Sequence, residues 1–138
     1  MAVAPQWLAD KSALARLAQQ PVATRLEPLL INGLVATTPI IDLEILYSAR
    51  SLADYESILL ERRALPSYPL TEESTDRAIE VQHRLARLGR HRIPLPDLVI
   101  AAVAETNHLT VIHYDADYDL IAEVTRQPCE WVVPRGSL

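Results

Sequence analysis

The fold is decided by the stretch Leu109-Thr110-Val111-Ile112-His113-Tyr114-Asp115-Ala116-Asp117. Its apolar and β-branched residues predict a short strand, and two aspartates follow that strand closely. Trp7-Leu8-Ala9 predicts a second strand, which Asp10 follows directly. Because open α/β folds bind ligands at the carboxyl ends of parallel strands, we expect Asp10 and Asp115 to face each other at that edge.

Two further acidic residues lie in apolar segments, where an ordinary core has no charge. Glu44 lies inside Ile40-Ile41-Asp42-Leu43-Glu44-Ile45-Leu46-Tyr47, and Asp97 directly precedes Leu98-Val99-Ile100-Ala101-Ala102. Burying an ionised carboxylate without compensation is prohibitive, so converging carboxylates indicate either protonation or a bound cation. Carboxylates without histidine or thiolate ligands favour Mg²⁺ or Mn²⁺. The sequence therefore predicts a divalent metal site.

Segments of strand length alternate with segments of helical period along the chain, which predicts an α/β domain with a mostly parallel sheet. The predicted strands cover residues 6–9, 34–36, 66–70, 110–113 and 130–133, of which 66–70 is the weakest. The predicted helices cover residues 12–18, 22–31, 40–49, 51–63, 71–89, 96–107 and 116–123. Thr38, Ser51 and Thr71 are predicted N-caps. Glu44 shares a predicted helical face with Ile40, Ile41 and Tyr47.

Length and composition favour one folded domain over residues 1–138. The chain is 49% hydrophobic and 22% charged, which is typical of globular proteins. The single cysteine, Cys129, and an N-terminus without a signal-peptide pattern predict a cytoplasmic protein. We expect no membrane segment, because no stretch approaches the ~18 apolar residues that span a bilayer.

The charge distribution bears on whether the protein binds nucleic acid. A net charge of −5 alone argues against it, because phosphate neutralisation drives that affinity. A basic cluster nevertheless precedes Asp97 and comprises Arg84, Arg87, Arg90, His91 and Arg92. Arginine suits bidentate phosphate contact, but cations also stabilise the end of a helix. Both interpretations of the cluster stay open.

The ordered acidic set resembles the PIN-domain ribonucleases, in particular the VapC toxins of VapBC toxin-antitoxin pairs. The matching pieces are Asp10-Lys11-Ser12, Glu44 in its apolar helix, Asp97-Leu98-Val99-Ile100-Ala101-Ala102 and Asp115-Ala116-Asp117-Tyr118. The resemblance covers essentially the whole chain. It departs at Lys11, where such toxins more often have Thr or Ser, and at Tyr118, where they more often have Phe.

The resemblance implies a PIN-like three-layer α/β/α fold, with a short, mostly parallel central sheet flanked by helices, in a single domain. It implies an endoribonuclease that depends on Mg²⁺ or Mn²⁺ and hydrolyses phosphodiester bonds, with transfer or ribosomal RNA as the expected substrate. The ion would activate water for attack and neutralise charge on the phosphoryl oxygens. The resemblance also implies a cognate VapB-type antitoxin and a homodimer.

Residue roles follow from this resemblance together with the acidic pattern. The predicted catalytic residues are Asp10, Glu44, Asp97 and Asp115. The predicted metal ligands are Asp10, Asp97, Asp115 and Asp117. The predicted substrate contacts are Lys11, Ser12, Arg90 and Arg92. Ser12 is alternatively only the N-cap of its helix, Lys11 alternatively points to solvent, and His113 is predicted to be structural.

Other functions compete with the nuclease. A catalytically silent PIN-like module that binds RNA or protein would be favoured by an incomplete acidic set, and this set is complete. A phosphoacceptor domain normally needs a lysine late in the chain, whereas the only lysine is Lys11. A haloacid-dehalogenase-type phosphatase would need an aspartate where Ser12 stands.

Apolar helix residues Tyr55, Ile58, Leu59 and Leu65 suggest a surface that a partner protein covers. The alternative is that these residues belong to the core, and this alternative is favoured for Ile58 and Leu59.

Overall fold

The structure is a computed structural model that describes residues 3–138, and its centre is a four-stranded parallel sheet. The strands are β1 (Trp7–Ala9), β2 (Val35–Ala36), β3 (Thr110–His113) and β4 (Cys129–Trp131). They lie in the order β2-β1-β3-β4, and every neighbouring pair is parallel. The predicted α/β class with a short parallel sheet is therefore confirmed.

Seven helices connect and flank these strands in the described part of the chain. They are α1 (Lys11–Leu14), α2 (Gln20–Ile31), α3 (Pro39–Tyr47), α4 (Leu52–Arg63), α5 (Glu72–Arg87), α6 (Leu95–Thr106) and α7 (Asp117–Thr125). The predicted caps of α4 and α5 are confirmed, because the Ser51 and Thr71 side chains each accept a hydrogen bond from a first-turn amide. Thr38 occupies the N-cap position of α3 but makes no such bond.

Two predicted elements are wrong. Residues 66–70 form no strand, and only a single parallel bridge between Thr37 and Ser67 extends the sheet there. Pro66 and Pro69 explain this, because proline has no amide to donate to a strand pair. The helix predicted over residues 12–18 ends at Leu14, and the chain turns before α2 begins. Beyond Leu14 the backbone continues in tighter turns, in which the Arg16 and Leu17 amides donate to carbonyls three residues earlier.

Helices cover both faces of the sheet. Successive strand residues point to opposite faces, and the two hydrophobic clusters separate accordingly. Leu8 and Val111 pack in the cluster formed with α5, α6 and α7, whereas Ala9 and Ile112 pack in the cluster formed with α2. The predicted three-layer α/β/α arrangement is confirmed.

The surface between α3 and α4 is open and largely apolar. A groove of about 610 Å³ lies between these helices, and Leu43, Tyr55, Leu59 and Leu65 are among its lining residues. Ile58 and Leu59 are half-buried and belong to neither core cluster, so the expectation that they lie in the core is wrong. Within residues 3–138, no helix is long and apolar enough to span a bilayer.

Candidate active site

The carboxyl edge of the sheet brings the predicted acidic residues together. Asp10 directly follows β1, and Asp115 comes two residues after the end of β3. Asp97 lies in the first turn of α6, and Asp117 begins α7. One carboxylate oxygen from each of Asp97, Asp115 and Asp117 lies within 4.8 Å of the others. Three of the four predicted metal ligands therefore form a compact set, and Asp10 lies outside it.

Asp10 is buried and held at both carboxylate oxygens. Its Oδ2 accepts a hydrogen bond from the Ser12 amide at 3.0 Å, so Asp10 is the N-cap of α1. Its Oδ1 accepts one from the Tyr118 hydroxyl at 2.8 Å. The interpretation of Ser12 as the N-cap is therefore wrong. The Ser12 Oγ instead accepts a hydrogen bond from the Tyr114 amide at 2.9 Å, which ties α1 to the end of β3.

Asp97 is the most strongly perturbed acid of the site. The pKa of Asp97 is raised to about 8, first by burial and then by the negative charges of Asp10, Asp115, Asp117 and Glu44, in that order. Its Oδ2 is buried and has no hydrogen-bond partner in residues 3–138. This carboxylate ionises near neutral pH only when a positive charge compensates it.

Glu44 faces the same acidic group from α3. Burial, followed by the charge of Asp10, raises the pKa of Glu44, while the charge of Lys11 opposes this. The effect of Lys11 indicates that its ammonium lies near the acidic residues. Ile41 is buried beside Glu44, but Tyr47 is 91% exposed, so its predicted place on the packed face is wrong. Tyr47 is the last residue of α3 and extends beyond the packed part of the helix.

The donor set fits a hard divalent cation. All five acidic side chains offer carboxylate oxygens. Two of these oxygens, Asp97 Oδ2 and Glu44 Oε1, are buried and have no hydrogen-bond partner within residues 3–138. Burial, followed by the charge of Asp115, also raises the pKa of Asp117. A bound cation would satisfy the free oxygens and favour the ionised carboxylates, and Mg²⁺ and Mn²⁺ prefer such ligands.

Two aromatic residues contribute to the site in ways that the sequence does not predict. Tyr118 places a buried hydroxyl against Asp10. His113 is also buried, and its Nδ1 accepts a hydrogen bond from the Asp115 amide at 3.1 Å. Burial lowers the pKa of His113, so this imidazole is neutral at pH 7. Their positions next to the acids in sequence are the only signal that could have indicated these contacts.

The predicted basic residues lie on the surface, and two arginines of the basic cluster pair there with glutamates outside the acidic group. Arg90 Nη1 pairs with Glu123 Oε2 at 2.8 Å on the surface, and Arg84 Nη2 pairs with Glu80 Oε1 at 3.0 Å. Arg92 is exposed. Asp42 pairs with Arg62 and therefore faces away from the acidic group, as its helical spacing from Glu44 predicts.

The model of the PIN domain family matches residues 8–124. The three-layer fold and the acidic residues at the carboxyl edge of the sheet agree with this family. Ribonuclease VapC51 from Mycobacterium tuberculosis (strain ATCC 25618 / H37Rv) is 41% identical over 136 residues, which are 99% of this chain and 99% of that protein. Ribonuclease VapC21 from Mycobacterium tuberculosis (strain CDC 1551 / Oshkosh) is 46% identical over 134 residues, which are 96% of this chain and 97% of that protein. The chain belongs to the VapC family of PIN-domain ribonucleases.

Solved structures agree with this fold. VapBC2 from Rickettsia felis, bound to a DNA fragment from its promoter, matches with a TM-score of 0.75 at 18% identity, over 94% of this chain and 98% of that chain. VapBC-5 from Mycobacterium tuberculosis, a member of the VapBC family of toxin-antitoxin systems, matches with a TM-score of 0.62 at 26% identity, over 93% of this chain and 96% of that chain.

Proposed function

We propose that this protein is the endoribonuclease toxin of a toxin-antitoxin pair, that it hydrolyses RNA with a divalent cation, Mg²⁺ or Mn²⁺, and that a cognate VapB-type antitoxin neutralises it. The observation that carries the proposal is the convergence of Asp97, Asp115 and Asp117 within 4.8 Å, with Asp97 Oδ2 buried and unpartnered. The names of the curated relatives support ribonuclease activity, and the VapBC complexes among the structural neighbours support an antitoxin partner.

The side chains of the site have two roles, which are to bind the cation and to transfer a proton. Asp97, Asp115 and Asp117 would hold the cation, and Asp10 adds negative charge beside them. The cation supplies Lewis-acid stabilisation of the charge that develops on the phosphoryl oxygens. Burial raises the pKa of Glu44, and its Oε1 has no hydrogen-bond partner among residues 3–138, which suits it to accept and return a proton.

Contacts to RNA are expected from basic groups around this edge. Lys11 lies near Glu44, so its ammonium is placed to offset the repulsion between RNA phosphate and the acids. Arg90 and Arg92 remain candidates, because an exposed ion pair such as that of Arg90 contributes little and exchanges readily for a phosphate. The Ser12 hydroxyl accepts a hydrogen bond from the Tyr114 amide and keeps its own proton, which it can donate to RNA. The expected substrate is transfer or ribosomal RNA, in the cytoplasm.

Metal removal is the test of this function. The purified chain is incubated with a mixed preparation of transfer and ribosomal RNA in Mg²⁺, in Mn²⁺ and in chelator. We expect cleavage at few sites with either ion and none in chelator, because the unsatisfied carboxylates repel the phosphate unless a cation is bound. Sequencing of the fragments identifies the RNA. A folded chain that cuts no RNA with either ion would favour the silent RNA- or protein-binding module instead.

We also propose that two copies of the chain form a homodimer. Three leucines on α3 and α4 are exposed to solvent, and a second copy of the chain would cover them. They are Leu43, Leu52 and Leu60, which are 60%, 73% and 75% exposed. Light scattering of the protein without antitoxin is expected to give twice the 15.4 kDa mass of the chain. A monomer that persists at high protein concentration would contradict this proposal.

A further inference from the structure

The hydroxyl of Tyr118 lies between two carboxylates of the acidic group. Tyr118 is fully buried, and its Oη lies 2.8 Å from Asp10 Oδ1 and 3.4 Å from Asp97 Oδ1. A phenol has one proton to donate, and the shorter distance identifies Asp10 as its acceptor. One oxygen atom on α7 therefore connects the residue that follows β1 with a residue in the first turn of α6.

The ring of Tyr118 accounts for its packing without the hydroxyl. The side chain belongs to the main hydrophobic cluster, and its ring centroid lies 4.8 Å from that of His113. A phenylalanine would fill the same space. A hydroxyl in such a place lowers stability unless it is hydrogen-bonded, and a carboxylate acceptor makes the bond charge-assisted. The contribution of the hydroxyl is thus to the acidic group rather than to the core.

The hydroxyl also sets Asp10 apart from its acidic neighbours. Asp10 has a donor on each oxygen, the Ser12 amide on Oδ2 and the Tyr118 hydroxyl on Oδ1. In the described part of the chain, Asp97 and Glu44 each keep a buried oxygen without a hydrogen-bond partner. When both carboxylates are ionised they repel each other, and the hydroxyl between them keeps the Asp10 carboxylate from turning away from Asp97.

We propose that Tyr118 is a positioning residue whose hydroxyl holds the Asp10 carboxylate beside Asp97, so that a divalent cation meets carboxylates that are already arranged. This inference rests on the metal site of the proposed function. Tyr118 acts through Asp10, whose negative charge lies beside the three aspartates that would hold the cation, and hydrogen bonds that orient the groups around a metal site raise the affinity for the metal.

The test is a titration of Mn²⁺ into the RNA-free protein, with free Mn²⁺ read by its paramagnetic resonance signal. We expect Tyr118→Phe to weaken Mn²⁺ binding about tenfold. The matched control is Ile121→Val, which removes one methyl group from a fully buried side chain on the same helix. It is expected to lower the melting temperature and to leave Mn²⁺ affinity within about twofold, because it changes packing and no hydrogen bond.

A second comparison separates positioning from general loosening. If Tyr118 acts through Asp10, Tyr118→Phe weakens Mn²⁺ binding no further in a chain that already carries Asp10→Ala, because coupled residues are non-additive. This comparison also decides the matter if Tyr118→Phe alone folds poorly, since Mn²⁺ binding by the folded fraction is then compared in both backgrounds.

The outcomes are distinguishable. Unchanged or tighter Mn²⁺ binding by Tyr118→Phe, while the unaltered chain binds Mn²⁺, would overturn the positioning role and leave the proposed function standing. Equal weakening by Tyr118→Phe and Ile121→Val would overturn it as well, because loosening of α7 would then explain both. Failure of the unaltered chain to bind Mn²⁺ would overturn the metal site and this inference with it.

Discussion

Asp97→Asn is expected to lower the rate of RNA cleavage by about 100- to 1000-fold, the usual effect of removing a group that supports charge in a transition state. Asparagine keeps the shape and burial of the side chain, so the change removes the negative charge and little else. The rate is measured in single-turnover reactions with saturating Mn²⁺. The matched control is Asp76→Asn, which changes an exposed carboxylate on α5. This variant is expected to cleave RNA at the rate of the unaltered chain.

The same substitution is expected to stabilise the metal-free protein at alkaline pH. The pKa of Asp97 is about 8 in the folded chain and 3.8 ordinarily. The folded state therefore binds this proton more tightly, and its stability falls as pH rises between these two values. Asparagine has no charge to bury, so at pH 8 in chelator the variant should melt above the unaltered chain, and the difference should shrink towards pH 4. Retained cleavage, or an unfolded variant, would contradict the assignment of Asp97.

The largest stability effect is expected at the ion pair between α3 and α4, in which the Arg62 guanidinium is buried and the Asp42 carboxylate is half-buried. Arg62 Nε donates to Asp42 Oδ1 at 2.9 Å, and Arg62 Nη2 donates to Thr37 Oγ1 at 2.7 Å. The Thr37 hydroxyl in turn donates to Asp42 Oδ1 at 2.8 Å. Asp42→Ala leaves the guanidinium of Arg62 buried without its carboxylate, and this should lower the free energy of unfolding by about 3 kcal/mol in urea unfolding.

Two comparisons check the physical cause of that loss. Adding Arg62→Leu to Asp42→Ala should restore much of the stability, because the uncompensated charge is then gone. Glu130→Ala removes an exposed partner, whose side chain is 47% accessible, from its pair with Arg25, and should cost about 0.5 kcal/mol. Losses that simply add in the Asp42 and Arg62 double variant would show that the two side chains do not act as a pair.

The sequence was sufficient for the class of fold and for the elements that carry the acids, because both depend on local patterns. Alternating strand and helix segments predict a parallel sheet, and a strand followed directly by an acid predicts where Asp10 and Asp115 lie. The strand predicted over residues 66–70 was wrong. Its apolar residues indicated a strand, but its prolines lack the backbone amides that donate hydrogen bonds to a neighbouring strand.

The hydrogen bonds inside the site could not be predicted, because they depend on distances between remote parts of the chain. Tyr118 and Asp10 are 108 positions apart, and Ser12 and Tyr114 are 102 apart. Whether the Tyr118 hydroxyl reaches the Asp10 carboxylate follows from the pairing of β1 with β3 and from the packing of α7 into the hydrophobic cluster on one face of the sheet. No local period reports that packing, and the role of Tyr118 beyond its aromatic ring therefore required the structure.

The parallel pairing of β1 with β3 has a consequence for how the cell makes this protein. Ala9 pairs with Ile112, so the two ends of the acidic group come together only after most of the 138 residues have been synthesised. Parallel strands cannot be joined by a tight turn, and such distant contacts form late. A chain whose synthesis has not reached β3 therefore has no assembled acidic centre, and the cation site of the proposed function can form only after residues 110–117 have been made.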